Sequence, residues 1–197
     1  MRDVAVVGFA QSASVRRETD GNEVEMLMPI LHEAMQQSGL ARQEIGYTVS
    51  GSCDYLAGQP FAFVSALDAV GAWPPIVESH VEMDGAWALY EAWVKIQTGE
   101  ADSALVYAFG KSSMGDLPEV LTIQLDPYYM APLWPDAISL AALQARAYLE
   151  ASGKTERDMA EVAARSRRAA ATNPKAQLRA SADAATLIRA PYLVSPL

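Results

Sequence analysis

Cysteine, histidine, basic charge and long apolar runs are all scarce in this sequence, and each scarcity excludes something. A single cysteine, Cys53, in 197 residues leaves no internal disulfide framework and suits a reducing, cytoplasmic compartment. That cysteine and two histidines, His32 and His80, are scattered without metal-ligand spacing, so no metal site is expected from them. Fifteen Lys and Arg stand against 24 Asp and Glu, a net charge of −9, which argues against nucleic acid as a partner because phosphate binding needs a basic surface. The cluster Arg165, Arg167 and Arg168 reads as a solvated helix face. No apolar run approaches the roughly 18 residues that a membrane span takes. The opening MRDVAVVGFA is interrupted too soon by Gln11 and Ser12 to act as a signal peptide.

What remains is a globular composition, 51% hydrophobic and 20% charged, long enough to bury a core. Asp3 to Phe9 is rich in valine and predicts a strand buried on both faces. Asn22 caps a helix expected from Glu23 to Ser38, ended by Gly39 and carrying Pro29 inside it at a cost to stability. Tyr47 to Val49 reads as the next strand. Ser50 to Tyr55 then supplies small and polar residues at a strand end, where α/β proteins place ligand sites. A helix over Phe61 to Val70 and a turn over 71–75 lead into the stretch from Pro75 to Ser113, around which the chain is organised.

That stretch predicts a strand over Ile76 to Val81, a helix from Ala86 to Thr98 stopped by Gly99, and a buried strand from Ser103 to Phe109. The helix is apolar on nearly every face, so it is expected to be covered on several sides. Strands alternating with helices imply a mainly parallel sheet with helices packed on it. After Ser113 come four prolines and an ordered excursion, then helices over Ala137 to Ala151, from the capping box at Thr155 to about Ala171, and over Ala184 to Arg189. The expected organisation is an α/β region over 1–113 and a helical region over 114–197.

Glu82-Met83-Asp84-Gly85, Gly99-Glu100-Ala101-Asp102 and Phe109-Gly110-Lys111-Ser112 follow one another with the spacing of three motifs of the thiolase superfamily. The sequence resembles the N-terminal half and loop domain of that superfamily, nearest the sterol-carrier-protein-x-type thiolases and the bacterial lipid-transfer-protein (thiolase-like) branch. Met1 to Phe9, Ala131 to Trp134 and Ala190 to Leu197 extend the similarity over nearly the whole chain. The resemblance implies αβαβα layers, with the apolar helix as the central one. It also implies an acyl-CoA thioester of lipid or steroid type as substrate or ligand, with no covalently bound cofactor. A homodimer or hetero-assembly is implied through the strand near Ile76 to Val81.

Two departures qualify the implied chemistry. Glu82 stands where the family keeps its nucleophilic cysteine, and a carboxylate cannot hold an acyl group as a stable thioester, so carbon–carbon chemistry of a retro-aldol or retro-Claisen kind is expected in place of ping-pong transfer. The sequence also stops where the family's second half would begin, and the cysteine and histidine supplied by that half have no match. Glu82 is the candidate base or acid. His80, two residues away on the same side of a strand, can tune it, or pack as a structural histidine. Asp84 is a candidate third catalytic group or the cap of the following helix. By family position Trp134, Lys111 and Tyr55 line an acyl or CoA pocket. Catalysis and a non-catalytic lipid- or CoA-binding subunit completed by a partner both stay open. A nucleotide-binding domain is disfavoured, since Gly8-Phe9-Ala10-Gln11 replaces any G-x-G-x-x-G or P-loop after the first strand.

Overall fold

The computed structural model describes residues 1–71, 76–112 and 115–197. The turn expected over 71–75 and the two ends of the central stretch, Pro75 and Ser113, fall mainly or wholly outside these. The chain divides into two compact units, Met1–Ser12 with Arg17–Gly115, and Ala13–Arg16 with Asp116–Leu197.

The first unit is built on β1 (Tyr47–Ser52), which is followed by α2 (Asp54–Ala57) and α3 (Ala62–Val70). Next come β2 (Glu78–Glu82), α4 (Gly85–Thr98) and β3 (Ala104–Ala108). The three strands are parallel in the order β2-β1-β3. Parallel strands need helical crossovers, and α3 and α4 supply them. All six residues of β1 are buried, as a central strand covered on both faces demands. Its odd-numbered side chains Tyr47 and Val49 pack with Val81 and Val106 against Ala88 and Ala92 of α4. On the other face Tyr107 and Leu105 meet Leu27 and Leu31 of α1 (Glu23–Ser38) and Ala66 of α3.

α1 begins as expected. The Asn22 side chain accepts from the Glu25 amide at 2.9 Å while Glu25 accepts from the Asn22 amide at 2.8 Å, which satisfies two of the helix's orphan donors. Pro29 lies inside the helix on an exposed position, where the carbonyl left without its donor can turn to water.

Two expectations fail in this unit. Asp3 to Phe9 forms no strand, and Val4, Val6, Val7 and Phe9 are exposed, Val6 at 76%. Strand character requires a neighbour to complete the hydrogen-bond ladder, and among the described residues β3 pairs only with β1. The segment is held by its ends instead. The Arg2 amide donates to Gln97 Oε1 and the Phe9 amide to Gln37 Oε1, each at 2.9 Å. Gly8 lies so close to α1 that a Cβ there would stand 2.5 Å from the Ala34 carbonyl oxygen. Secondly, α4 is covered on one side only: Ala88 and Ala92 are buried, whereas Trp87, Leu89 and Tyr90 are each about half exposed, at 50%, 52% and 56%. Its aromatic rings partner one another, Trp87 edge-on to Tyr90 and Tyr90 stacked on Trp93.

The second unit contains α5 (Leu117–Ile123), α6 (Ala137–Ser152), α7 (Glu156–Ala171) and α8 (Ala184–Ile188). α5 was not expected within the proline-rich excursion. Asp116 caps it and Pro118 stands in its first turn, where a missing amide costs nothing. α7 opens at Thr155 as anticipated, the Asp158 carboxylate accepting the Thr155 amide and hydroxyl at 2.9 Å each. Ala160 and Ala164 of α7 meet Ala184 and Leu187 of α8 in a small core. Among the described residues no helix is long and apolar enough to cross a membrane.

Candidate active site

The parallel register places Ser50 opposite His80 and Ser52 opposite Glu82. Side chains alternate along a strand, so these four residues share one face of the sheet at the carboxyl ends of β1 and β2. Ser50 Oγ lies 2.9 Å from His80 Nδ1, and His80 Nε2 lies 3.3 Å from Glu82 Oε2. The Phe63 ring stacks on the imidazole at 4.3 Å between centroids and 10° between planes, which fixes its orientation. The His80 side chain is 12% exposed and that of Glu82 49%, so the pair runs from the protein interior to solvent.

The chain leaving β1 closes this group. The Asp54 amide donates to Glu82 Oε1 at 2.8 Å, and the Asp54 carboxylate accepts the amides of Phe61 at 2.5 Å and Ala62 at 2.9 Å. One carboxylate thus starts α3 while its own amide holds the other. Ligand atoms of Asp54, His80 and Glu82 all lie within 4.8 Å of one another.

The opposite face explains how the start of α4 comes against β1. Gly51 has no side chain, and a Cβ there would be 2.3 Å from the Asp84 carbonyl oxygen and 2.9 Å from the Gly85 nitrogen. Asp84 is the helix cap, its Oδ1 accepting the amides of Ala86 at 2.9 Å and Trp87 at 3.2 Å. The free amides of α4 therefore go to Asp84, and the amide that Glu82 receives comes from Asp54.

Of the residues singled out by sequence, the structure brings His80 and Glu82 together, whereas Asp84 turns to the opposite face of the sheet as the cap of α4. Tyr55 follows Asp54 in α2 with an exposed ring, and Lys111 Nζ donates to the Gly21 carbonyl at 2.5 Å. Trp134 belongs to the second unit, exposed and in left-handed backbone conformation. Sequence reasoning missed Ser50, Asp54 and Phe63 as parts of the group. The polar strand end from Ser50 to Tyr55 marked the place, but the pairing that sets Ser50 on His80 is a tertiary fact. Tyr107, opposite Ser50 in β3, is buried, and that burial pushes its hydroxyl pKa up.

A carboxylate and an imidazole in hydrogen-bond contact, one end on a fixed serine and the other open to solvent, can take up and pass on a proton.

No family model and no curated protein matches this sequence. Among solved structures the chain is similar to an Ltp2-ChsH2(DUF35) aldolase, with a TM-score of 0.69 and 22% identity over 98% of this chain and 50% of that one. It therefore spans half the length of the structure it matches. The likeness shows the fold, a thiolase-like α/β arrangement, and at that identity it shows the fold alone.

Proposed function

We propose that this chain handles the thioester in a thiolase-like lyase, of the sterol-carrier-protein-x or lipid-transfer-protein branch, that makes or breaks a carbon–carbon bond beside an acyl-CoA of lipid or steroid type. The observation that carries the reading is the 3.3 Å contact of His80 with Glu82 at a strand-to-helix junction, which the sequence resemblance equates with the place of a thiolase nucleophile. The name of the structural neighbour, an aldolase, supports a retro-aldol step. In that step Glu82, tuned by His80, removes the proton of a β-hydroxyl. The Cα–Cβ bond then breaks, the β-carbon becomes the carbonyl of a released aldehyde or ketone, and the electron pair passes into the thioester enolate. A proton returned to Cα completes the acyl-CoA product. Lys111, Tyr55 and Trp134 are proposed to bind the CoA or acyl portion.

Assembly is part of the proposal. Among the described residues β2 is an edge strand, and α4 presents Trp87, Leu89 and Tyr90 to solvent, an apolar surface of the kind found at interfaces. The partner is a second copy or a chain that completes the fold, in the cytoplasm. A non-catalytic acyl-CoA-binding subunit is the second reading, favoured by the absence of a cysteine at the junction.

The test is Glu82→Gln in the complete assembly with a 3-hydroxyacyl-CoA. A catalytic role predicts a loss of turnover of roughly 10²- to 10⁴-fold with acyl-CoA affinity kept. Binding without turnover in the unaltered assembly would establish the second reading, and neither binding nor turnover of any acyl-CoA would overturn both.

A further inference from the structure

We propose that Asp54, His80 and Glu82 form a binding site for a divalent transition cation of the zinc or manganese class. Two carboxylates and an imidazole nitrogen, all within 4.8 Å, are a donor set of that class: no thiolate selects a soft ion, and the imidazole disfavours magnesium and calcium.

Each donor is already oriented by groups around it. His80 Nδ1 is engaged by Ser50 Oγ at 2.9 Å, which leaves Nε2 directed toward Glu82, and the Phe63 ring holds the imidazole plane. A metal-binding histidine ordinarily has its second nitrogen held in this way. Glu82 Oε1 is held by the Asp54 amide, and the Asp54 oxygens, held by the Phe61 and Ala62 amides, each keep a further lone pair. The end of α4, whose partial positive charge would oppose a cation, is capped by the Asp84 carboxylate.

A second observation is independent of the cluster. Ser52 is 2% exposed, its Oγ has no hydrogen-bond partner among the described residues, and it stands in register with Glu82 on the face that carries His80. A buried hydroxyl without a partner is costly, and water retained by a bound cation is the kind of partner it lacks.

The site goes beyond the acyl-CoA reading and does not rest on it. The lone pairs of Glu82 and His80 that the lyase reading uses are the ones a cation would take, so the two occupancies exclude each other.

The experiment titrates the chain with zinc chloride, and separately with manganese chloride, by calorimetry. Proton–nitrogen spectra of the imidazole rings under zinc follow binding at each histidine, and the chain has only two. One equivalent should bind, with the His80 ring signals shifted and those of His32 unmoved. His80→Gln and Glu82→Gln should each weaken binding by about tenfold or more, and Ser50→Ala by roughly tenfold through loss of the imidazole's support. Circular dichroism checks that the variants fold; should His80→Gln not fold, the ring spectra of the unaltered chain decide. His80 signals unmoved at millimolar zinc, or affinity unchanged in folded His80→Gln and Glu82→Gln, would overturn the proposal. Binding is measured without acyl-CoA, so its failure leaves the lyase reading standing, and absence of lyase activity leaves the cation site standing.

Discussion

Replacing Gly51 with alanine should destabilise the first unit more than any other single methyl group added at a glycine of ordinary backbone conformation near the junction. The added Cβ would stand 2.3 Å from the Asp84 carbonyl oxygen and 2.5 Å from its carbon, against ordinary contact beyond 3.4 Å. β1 or the start of α4 must therefore yield by about 1 Å, and neither is free to do so: β1 is paired on both edges, and Asp84 is tied to two amides of α4. The obstacle is backbone, so no side-chain rotation relieves it. Overpacking of this kind costs roughly 1–3 kcal/mol, and a backbone obstacle belongs at the upper end, about 3 kcal/mol. For a unit of this size that lowers the melting temperature by on the order of 10 °C. Thermal melts followed by circular dichroism would compare Gly51→Ala with Gly110→Ala, whose added Cβ meets nothing within 4 Å among the described residues. Gly110→Ala should melt near the unaltered chain. A Gly51→Ala protein that does the same would refute the close approach of β1 to the Asp84–Gly85 backbone, and with it the account of how the junction is placed.

Asp84→Ala should cost about 1 kcal/mol in urea denaturation through loss of the cap on Ala86 and Trp87, and Asp84→Asn much less; equal losses would mean the charge, not the cap geometry, matters. Tyr107 gives a pH dependence. Burial holds its folded pKa above the ordinary 10.0, so the stability it contributes is whole below pH 10 and is lost as pH rises through the folded value. The urea midpoint should fall above pH 10, less steeply in Tyr107→Phe, with a residual slope from Tyr47, whose pKa burial also raises. An unchanged slope in Tyr107→Phe would remove Tyr107 as the cause.

Local signals in the sequence proved reliable where the deciding chemistry is local. Asn22 with Glu25 and Thr155 with Asp158 start their helices within a few residues; the structure closes the first box fully, and in the second the Asp158 carboxylate accepts the Thr155 amide and hydroxyl. The strand ends shifted where pairing decides them: β1 runs to Ser52, beyond the expected Val49, because Gly51 and Ser52 find partners in Val81 and Glu82. The site was half legible for the same reason. His80 and Glu82 lie two apart on one strand, so alternation alone sets them on one side. Ser50, Asp54 and Phe63 reach them through strand register and the path of the chain after β1, which no local pattern encodes.

The two expectations that failed have one physical source. Valine at 4, 6 and 7 and aromatic residues along α4 are patterns of burial, and the first unit leaves both exposed. Burying a side chain of this size is worth roughly 1.5–3 kcal/mol, so several of them together hold a driving force comparable to the whole stability of a domain. Apolar surface of that extent on an acidic chain is stable in water only at a cost that association removes. The segment over 3–9 is already anchored near both ends, and α4 already carries its aromatic rings packed on one another, so little ordering entropy opposes a partner there. The sequence pattern and the exposed surface would agree if these side chains were buried in the proposed assembly, and the proposed catalytic reading of Glu82 rests on the same assembly.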